Sequence, residues 1–236
     1  MNPLVIVTGG TKGIGKAVIE RFMEGGFDVI TCSRSESDLF SVQKEMQERF
    51  PSGKLLFQKS DLSVRQDVTD FLSFINAQEG QVAALVNNTG IFIPGQVHNE
   101  AEGTLEKTME TNVYSAYHLT RGIIGRMMDQ KQGHIFTICS TASIIAYPNG
   151  GSYCISKFAL YGMTKVLREE MKPYDVKVTA VLPGATFTDS WQGTDLPKER
   201  FVASKDVADA IWAAYSLSPR AVLEEILIRP QLGDLP

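Results

Sequence analysis

The chain has 236 residues, 43% of them hydrophobic, with a formal net charge of -4 at pH 7. The apolar share supports a sizeable core and excludes a disordered chain, while mild acidity without any long basic run argues against a nucleic-acid partner. Cys32, Cys139 and Cys154 have neither metal-ligand spacing nor the density of a disulfide framework, so no metal site is expected and a cytoplasmic, reducing setting is the default.

Residues 4–7 form a short β-branched run ending at Gly9-Gly10, and nothing ahead of it has the basic flank or cleavage site of a secretory signal. Residues 14–24 have helical spacing and stop at Gly25-Gly26. Residues 27–32 predict a strand, 38–50 a helix closed by Pro51 and Gly53, 54–58 a strand and 64–78 a helix. Residues 82–87 are another apolar strand, and 103–128 carry one long helical pattern. No Asp, Glu, Lys or Arg occurs from Gln132 to Ser156, but Gly133, Pro148, Asn149, Gly150 and Gly151 interrupt that stretch. It therefore predicts strand, loop and helix start rather than a membrane span. Residues 134–139 are its strand, and a helix follows over 152–172. Residues 176–182 predict a strand, 205–217 a helix and 223–228 a last strand.

Short apolar strands alternating with helices imply βαβ units and a parallel sheet covered on both faces. The expected architecture is α/β: a doubly wound, Rossmann-like sheet of about seven strands. It would form a single dinucleotide-binding and catalytic domain over 1–236, with ligands at the strand carboxyl ends.

Thr8-Gly9-Gly10-Thr11-Lys12-Gly13-Ile14-Gly15 joins the first strand to the first helix. Glycines there permit a tight turn, and a helix N-terminus offers free N–H groups to a pyrophosphate. A purely structural glycine turn is the competing reading. The second strand ends in Ser33-Arg34 with no carboxylate at its end. Arg34 and Lys12 together suggest a 2′-phosphate, hence NADP(H) rather than NAD(H). Two solvated surface charges are the alternative. Glu36 would meet a ribose hydroxyl if the loop register differs by two residues.

Tyr153 and Lys157 stand four residues apart on a predicted helix, so they share a face. A phenol titrates at about pH 10, and a nearby ammonium lowers that value and fits it for proton transfer. As a bare spacing the pair also suits an ordinary helix surface. Around it, Ser140 closes a strand, Asn87-Asn88-Thr89-Gly90 ends another, and Leu182-Pro183-Gly184 ends a third, with Thr186 and Thr188 beyond. Asn112 interrupts the long helix pattern, where its poor propensity marks a bend or a polar role.

This ordered set, together with Asp61-Leu62, resembles the short-chain dehydrogenase/reductase family along essentially the whole chain. The resemblance implies that Tyr153 is the general acid/base and that Ser140 binds the substrate oxygen. Lys157 would lower the Tyr153 pKa and hold the nicotinamide ribose, and Asn112 would position a relay water. Gly9, Thr11, Lys12, Gly13, Ile14 and Gly15 would cradle the cofactor, with Ser33 and Arg34 beside the adenosine ribose. Asp61 and Leu62 would flank the adenine, Asn88, Thr89 and Gly90 would lie on the ribose side, and Pro183, Gly184, Thr186 and Thr188 would border the nicotinamide.

Thr89 departs from the family's usual alanine, and a small residue there should preserve binding. The segment from about 186 to 200 leaves room for only a short substrate loop. In it, Phe187 and Trp191 either line the pocket or simply pack. Cys154 reads as a small helix residue, and His98, His118 and His134 receive no role. The resemblance implies hydride transfer between NADP(H) and a small carbonyl or secondary alcohol, in a homodimer or homotetramer. Carbonyl, 3-oxoacyl, pteridine and diketone reductases are all versions of that reading. A catalytically silent NADP(H) sensor on the same fold is the alternative from another class.

Overall fold

In this computed structural model, which describes residues 2–188, 191 and 193–235, the apolar runs become parallel strands buried on both faces. In β1 (Leu4–Thr8) every residue is buried. Val5 and Val7 point into one core with Phe22 and Ile211, and Leu4 and Ile6 into another with Phe71 and Leu119. That division follows from the two-residue period of a strand, and it explains an unbroken apolar run rather than an alternating one. The others are β2 (Asp28–Ser33), β3 (Leu55–Lys59), β4 (Val82–Asn87), β5 (Gly133–Ile138), β6 (Val176–Pro183) and β7 (Glu225–Ile228). They form one sheet in the order β3-β2-β1-β4-β5-β6-β7, with every pairing parallel. The order reverses between β1 and β4, which opens a crevice at their carboxyl ends.

Helices α1 (Gly13–Glu24), α2 (Glu36–Arg49) and α7 (Ser204–Tyr215) cover the first core, and α3 (Arg65–Asn76) and α5 (Ser115–Gln130) the second. Gly25 lets α1 approach α7, since a Cβ there would stand 2.3 Å from the Trp212 ring. Helix α6 (Gly151–Met171) packs over β6. Among the described residues, no helix is long and apolar enough to cross a membrane.

The long pattern over 103–128 is not one uniform helix. It divides into α4 (Thr104–Met109), a π-helical turn (Glu110–Tyr114) and α5. Thr108, Thr111 and Ser115 each turn their hydroxyl back onto the carbonyl four residues earlier. These bonds accompany the widened turn, which rotates Asn112 into the interior, where it is fully buried.

Candidate active site

The first loop is tight where glycine requires it. Gly9 and Gly13 have φ values of 67° and 54°, in the left-handed region. At Gly15 a Cβ would lie 2.3 Å from the Gly9 carbonyl oxygen, so the turn and the start of α1 touch through bare backbone. The end of β4 fastens this loop. Thr8 Oγ1 accepts from the Asn88 and Thr89 amides, each at 2.9 Å. The Asn88 side chain donates to the Thr8 and Gly9 carbonyls at 2.8 and 3.1 Å. Thr89 Oγ1 would contact a Cβ on Gly9 at 3.1 Å, so the threonine side chain is accommodated beside the loop. Thr188 closes over Gly13, whose Cβ would meet its methyl group at 3.0 Å.

At the end of β2, Thr11 Oγ1 lies 3.4 Å from Ser33 Oγ. Arg34 is exposed just beyond β2, and Glu36 is the exposed first residue of α2. The Lys12 ammonium lies 3.9 Å from Asp38 in the first turn of α2, with the two side chains 58% and 41% exposed. Asp38 is thus a competing carboxylate that the sequence reading passed over. Asp61 Oδ1 accepts from the Ser63 amide and hydroxyl at 3.0 and 2.7 Å, and Leu62 is buried beside it.

A cavity of about 710 Å³ opens at the carboxyl ends of the central strands. It gathers Ser140, Tyr153 and Lys157 with Ile14, Asn88, Gly90, Pro183, Gly184, Thr186 and Thr188. Gly9, Thr11, Lys12, Gly13, Gly15, Ser33, Arg34, Asp61, Leu62 and Thr89 are not among its lining residues. Ser140 caps a short turn (Thr141–Ser143), accepting from the Ala142 amide at 3.1 Å. Burial pushes the Tyr153 phenol above its ordinary pKa, against a hydrogen bond from Ser140 that lowers it. Burial also brings Lys157 down to about 8. Its ammonium donates to the Ile138 carbonyl at 2.8 Å and lies 5.8 Å from the Tyr153 ring centre.

Asn112 sits behind this group and does not line the cavity. Its Oδ1 accepts from the Ile91 amide at 2.7 Å, and its Nδ2 donates to the Ile91 carbonyl at 3.0 Å and to Ser156 Oγ at 2.9 Å. It therefore ties the chain after β4 to α6. A Cβ on Gly90 would lie 3.3 Å from Asn112 Oδ1 and 3.6 Å from Lys157 Nζ, so this glycine lets the chain pass over both groups.

Of the two aromatic residues in the short loop, Trp191 lines the cavity and also packs edge-on against Phe201 at 4.9 Å. Phe187 only packs, 5.5 Å from Phe201. Asp189, Ser190 and Gln192, in the same loop, lie outside the described residues. Sequence reasoning missed Phe92, Ile145, Tyr147, Asp234 and Leu235 in the lining. Phe92 stands edge-on to Tyr153 at 4.9 Å, and its place just after Asn87-Asn88-Thr89-Gly90 was an available signal. Asp234 is ion-paired with Arg229, and nothing in the pattern of the chain end announced its return to the pocket. Among the described residues no group of His, Cys, Asp and Glu could hold a metal ion.

A switch-point crevice, a glycine turn and a Tyr–Lys pair at one cavity define a dinucleotide-binding α/β oxidoreductase. The family described as short chain dehydrogenase matches residues 3–198, and the chain belongs to this family of NAD(P)-dependent oxidoreductases. It is 30% identical to a sepiapterin reductase of Chlorobaculum tepidum over 100% of this chain and 99% of the relative. It is 32% identical to a 3alpha-hydroxysteroid dehydrogenase of Mediterraneibacter gnavus, over 80% of this chain and 75% of that one. A metagenomic short-chain oxidoreductase solved in complex with NADP superposes with a TM-score of 0.84 at 26% identity, covering 97% of each chain.

Proposed function

We propose that this protein reduces the carbonyl of a small free molecule with NADPH, with Tyr153 as the proton donor. The observation that carries the reading is the convergence of Ser140, Tyr153 and Lys157 on one cavity continuous with Asn88, Gly90 and Gly184. The bare-backbone contact between Gly15 and Gly9 suits the cradle a pyrophosphate needs. When bound, the nicotinamide supplies the hydride, and the rest of the work falls to the protein.

Ser140 orients the carbonyl oxygen and stabilises its developing charge. Tyr153 delivers its phenolic proton to that oxygen. Burial, which raises its pKa, keeps the phenol protonated at neutral pH, the form a reduction needs. Lys157 eases the loss of that proton through its charge, and the Ile138 carbonyl fixes where the charge sits. Asn112 fastens the chain after β4 to α6 beneath the pair. We assign NADP(H) selectivity to Arg34, with Ser33, Thr11 and Lys12 beside it, and the adenine contacts to Asp61 and Leu62.

The lining supports a free carbonyl compound over a carrier-bound 3-oxoacyl thioester. An acidic carrier needs basic residues at the mouth, whereas Lys157 is the one cation among the described lining residues, and the Asp234 carboxylate there is already paired with Arg229. Phe92, Tyr147 and Trp191 suit a flat or compact substrate such as a pteridine ketone or a diketone. We read the chain as one catalytic unit over 1–236 with a short substrate segment at about 186–200. Exposed Tyr117, Ile155, Phe158 and Val166 on α5 and α6 support a homodimer or homotetramer.

NADPH absorbance decay against ketones, aldehydes and diketones tests the activity. The Tyr153→Phe variant should bind NADPH like the wild type yet lose turnover by about 10²–10⁴-fold. Retained turnover in that variant would reject the mechanism. Micromolar NADPH binding with no turnover on any carbonyl would favour a sensor.

A further inference from the structure

Between β4 and α4, the segment over 91–103 crosses the front of α6. It is fastened there at several points. Gly95 pairs with Gly150, its amide donating to the Asn149 carbonyl at 3.0 Å. Gln96 Nε2 donates to Asn149 Oδ1 at 3.0 Å. The strongest attachment is Glu100. Its Oε1 accepts from the Ser152 amide at 2.8 Å, and its Oε2 accepts from the Ser152 hydroxyl. Ser152 is 1% exposed and immediately precedes Tyr153.

Room for that carboxylate is built into the backbone. A Cβ on Gly151 would lie 2.0 Å from Glu100 Oε1, and one on Gly95 would lie 2.6 Å from Glu100 Cγ. A methyl group at either position displaces the carboxylate. The same segment reaches Tyr153 from its other end through Phe92, whose ring stands 4.9 Å from the phenol ring in a T-shaped contact, and Asn112 holds the Ile91 amide and carbonyl while donating to Ser156 of α6. The first turn of α6 is thus gripped by one stretch of chain beside the phenol and on the residue before it.

We propose that Glu100 is a positioning residue that sets the Tyr153 hydroxyl against Ser140 by clamping Ser152. The inference rests on the reading of Tyr153 as the proton donor. A carboxylate at a helix N-terminus also stabilises the helix in its own right, so stability alone does not distinguish the roles. Positioning acts on turnover: misplacing a proton donor by about 1 Å costs on the order of 100-fold.

The test measures kcat with NADPH and the fastest carbonyl of the panel, the NADPH Kd by fluorescence, and thermal unfolding. Glu100→Ala should lower kcat by roughly 10- to 100-fold while leaving the NADPH Kd within about twofold. Glu100→Gln keeps an acceptor for the Ser152 amide and a donor for its hydroxyl, and should restore most of that kcat. Glu100→Asp, one methylene shorter, should not. Ser152→Ala removes only the hydroxyl half and should give a smaller loss, which also serves if Glu100→Ala does not fold. The proposal is overturned if kcat in Glu100→Ala stays within about twofold of wild type, if Glu100→Gln falls as far as Glu100→Ala, or if Ser152→Ala leaves kcat unchanged. Tyr153→Phe, run beside them, separates the failures. Full turnover there rejects the proton-donor reading itself, whereas an inactive Tyr153→Phe beside a fully active Glu100→Ala rejects only the clamp.

Discussion

Acid should destabilise this protein through His134, which lies in β5 and does not line the candidate site. The imidazole is 2% exposed, stacked on Phe136 at 3.9 Å, with Nε2 2.7 Å from Thr179 Oγ1. That hydroxyl donates its own proton to the Leu223 carbonyl at 2.6 Å. Nε2 must therefore carry the hydrogen and donate, which leaves buried Nδ1 as an acceptor with no partner. Protonating Nδ1 would place a charge with no acceptor in the core, with Lys177 adding repulsion. Burial, then Lys177, accordingly push the pKa down from 6.5 to about 3. Below 6.5 the unfolded chain takes up a proton that the folded chain refuses. The contribution is complete above 6.5 and is lost as the pH falls toward 3. At pH 5 the loss is about 2 kcal/mol, against about 0.2 kcal/mol at pH 7. Urea unfolding followed by tryptophan fluorescence at both pH values, in wild type and His134→Gln, measures it. Wild type should lose about 2 kcal/mol more than the variant on acidification. Equal losses within about 0.5 kcal/mol would refute the assignment of the acid sensitivity to this imidazole.

Two further outcomes follow from the site. Replacing Arg34 with Asp should lower the ratio of kcat/KM for NADPH over NADH by roughly 10- to 100-fold, the worth of one charge-assisted contact to a phosphate. A ratio unchanged by that substitution would remove Arg34 from cofactor selection. The pH profile of carbonyl reduction should fall on its alkaline side, because Lys157 titrates at about 8 and the Tyr153 phenol above its ordinary value. Both lose, as pH rises, the protonated form that reduction uses, so a rate that climbs steadily from pH 7 to pH 9 with saturating NADPH would contradict the assigned roles.

Much of this arrangement was legible in the chain because its signals are local. Gly9 and Gly13 mark positive-φ turns, apolar runs mark strands buried on both faces, and Tyr153 and Lys157 share a face at helical spacing. Asn112 was visible as a misfit in a helix, but the π turn that accommodates it was not, since hydroxyl back-bonding leaves no periodic trace. What escaped were contacts between segments distant in sequence. Asp38 opposite Lys12, Asp234 in the cavity and Glu100 on Ser152 each depend on where a loop returns, which no spacing rule states. Phe187 and Trp191 were indistinguishable in sequence; both pack against Phe201, and Trp191 alone of the two lines the cavity.

The candidate site also shows how a doubly wound core tolerates polar groups at its centre. Asn112, Ser156 and Lys157 are all buried, and unpaired each would oppose folding. They are satisfied by groups that the sheet and the helices leave over. The Ile138 carbonyl at the end of β5 accepts from Lys157, and the backbone of Ile91, just past β4, takes both ends of the Asn112 amide. Ser156 then donates back to the Tyr153 carbonyl at 2.8 Å, so the first turn of α6 is hydrogen-bonded from within as well as by Glu100. Strand ends supply partners that strand interiors cannot, because interior backbone groups are already committed to neighbouring strands. A polar constellation of this kind is therefore cheapest to bury where β4 and β5 terminate, which is also where the cavity opens.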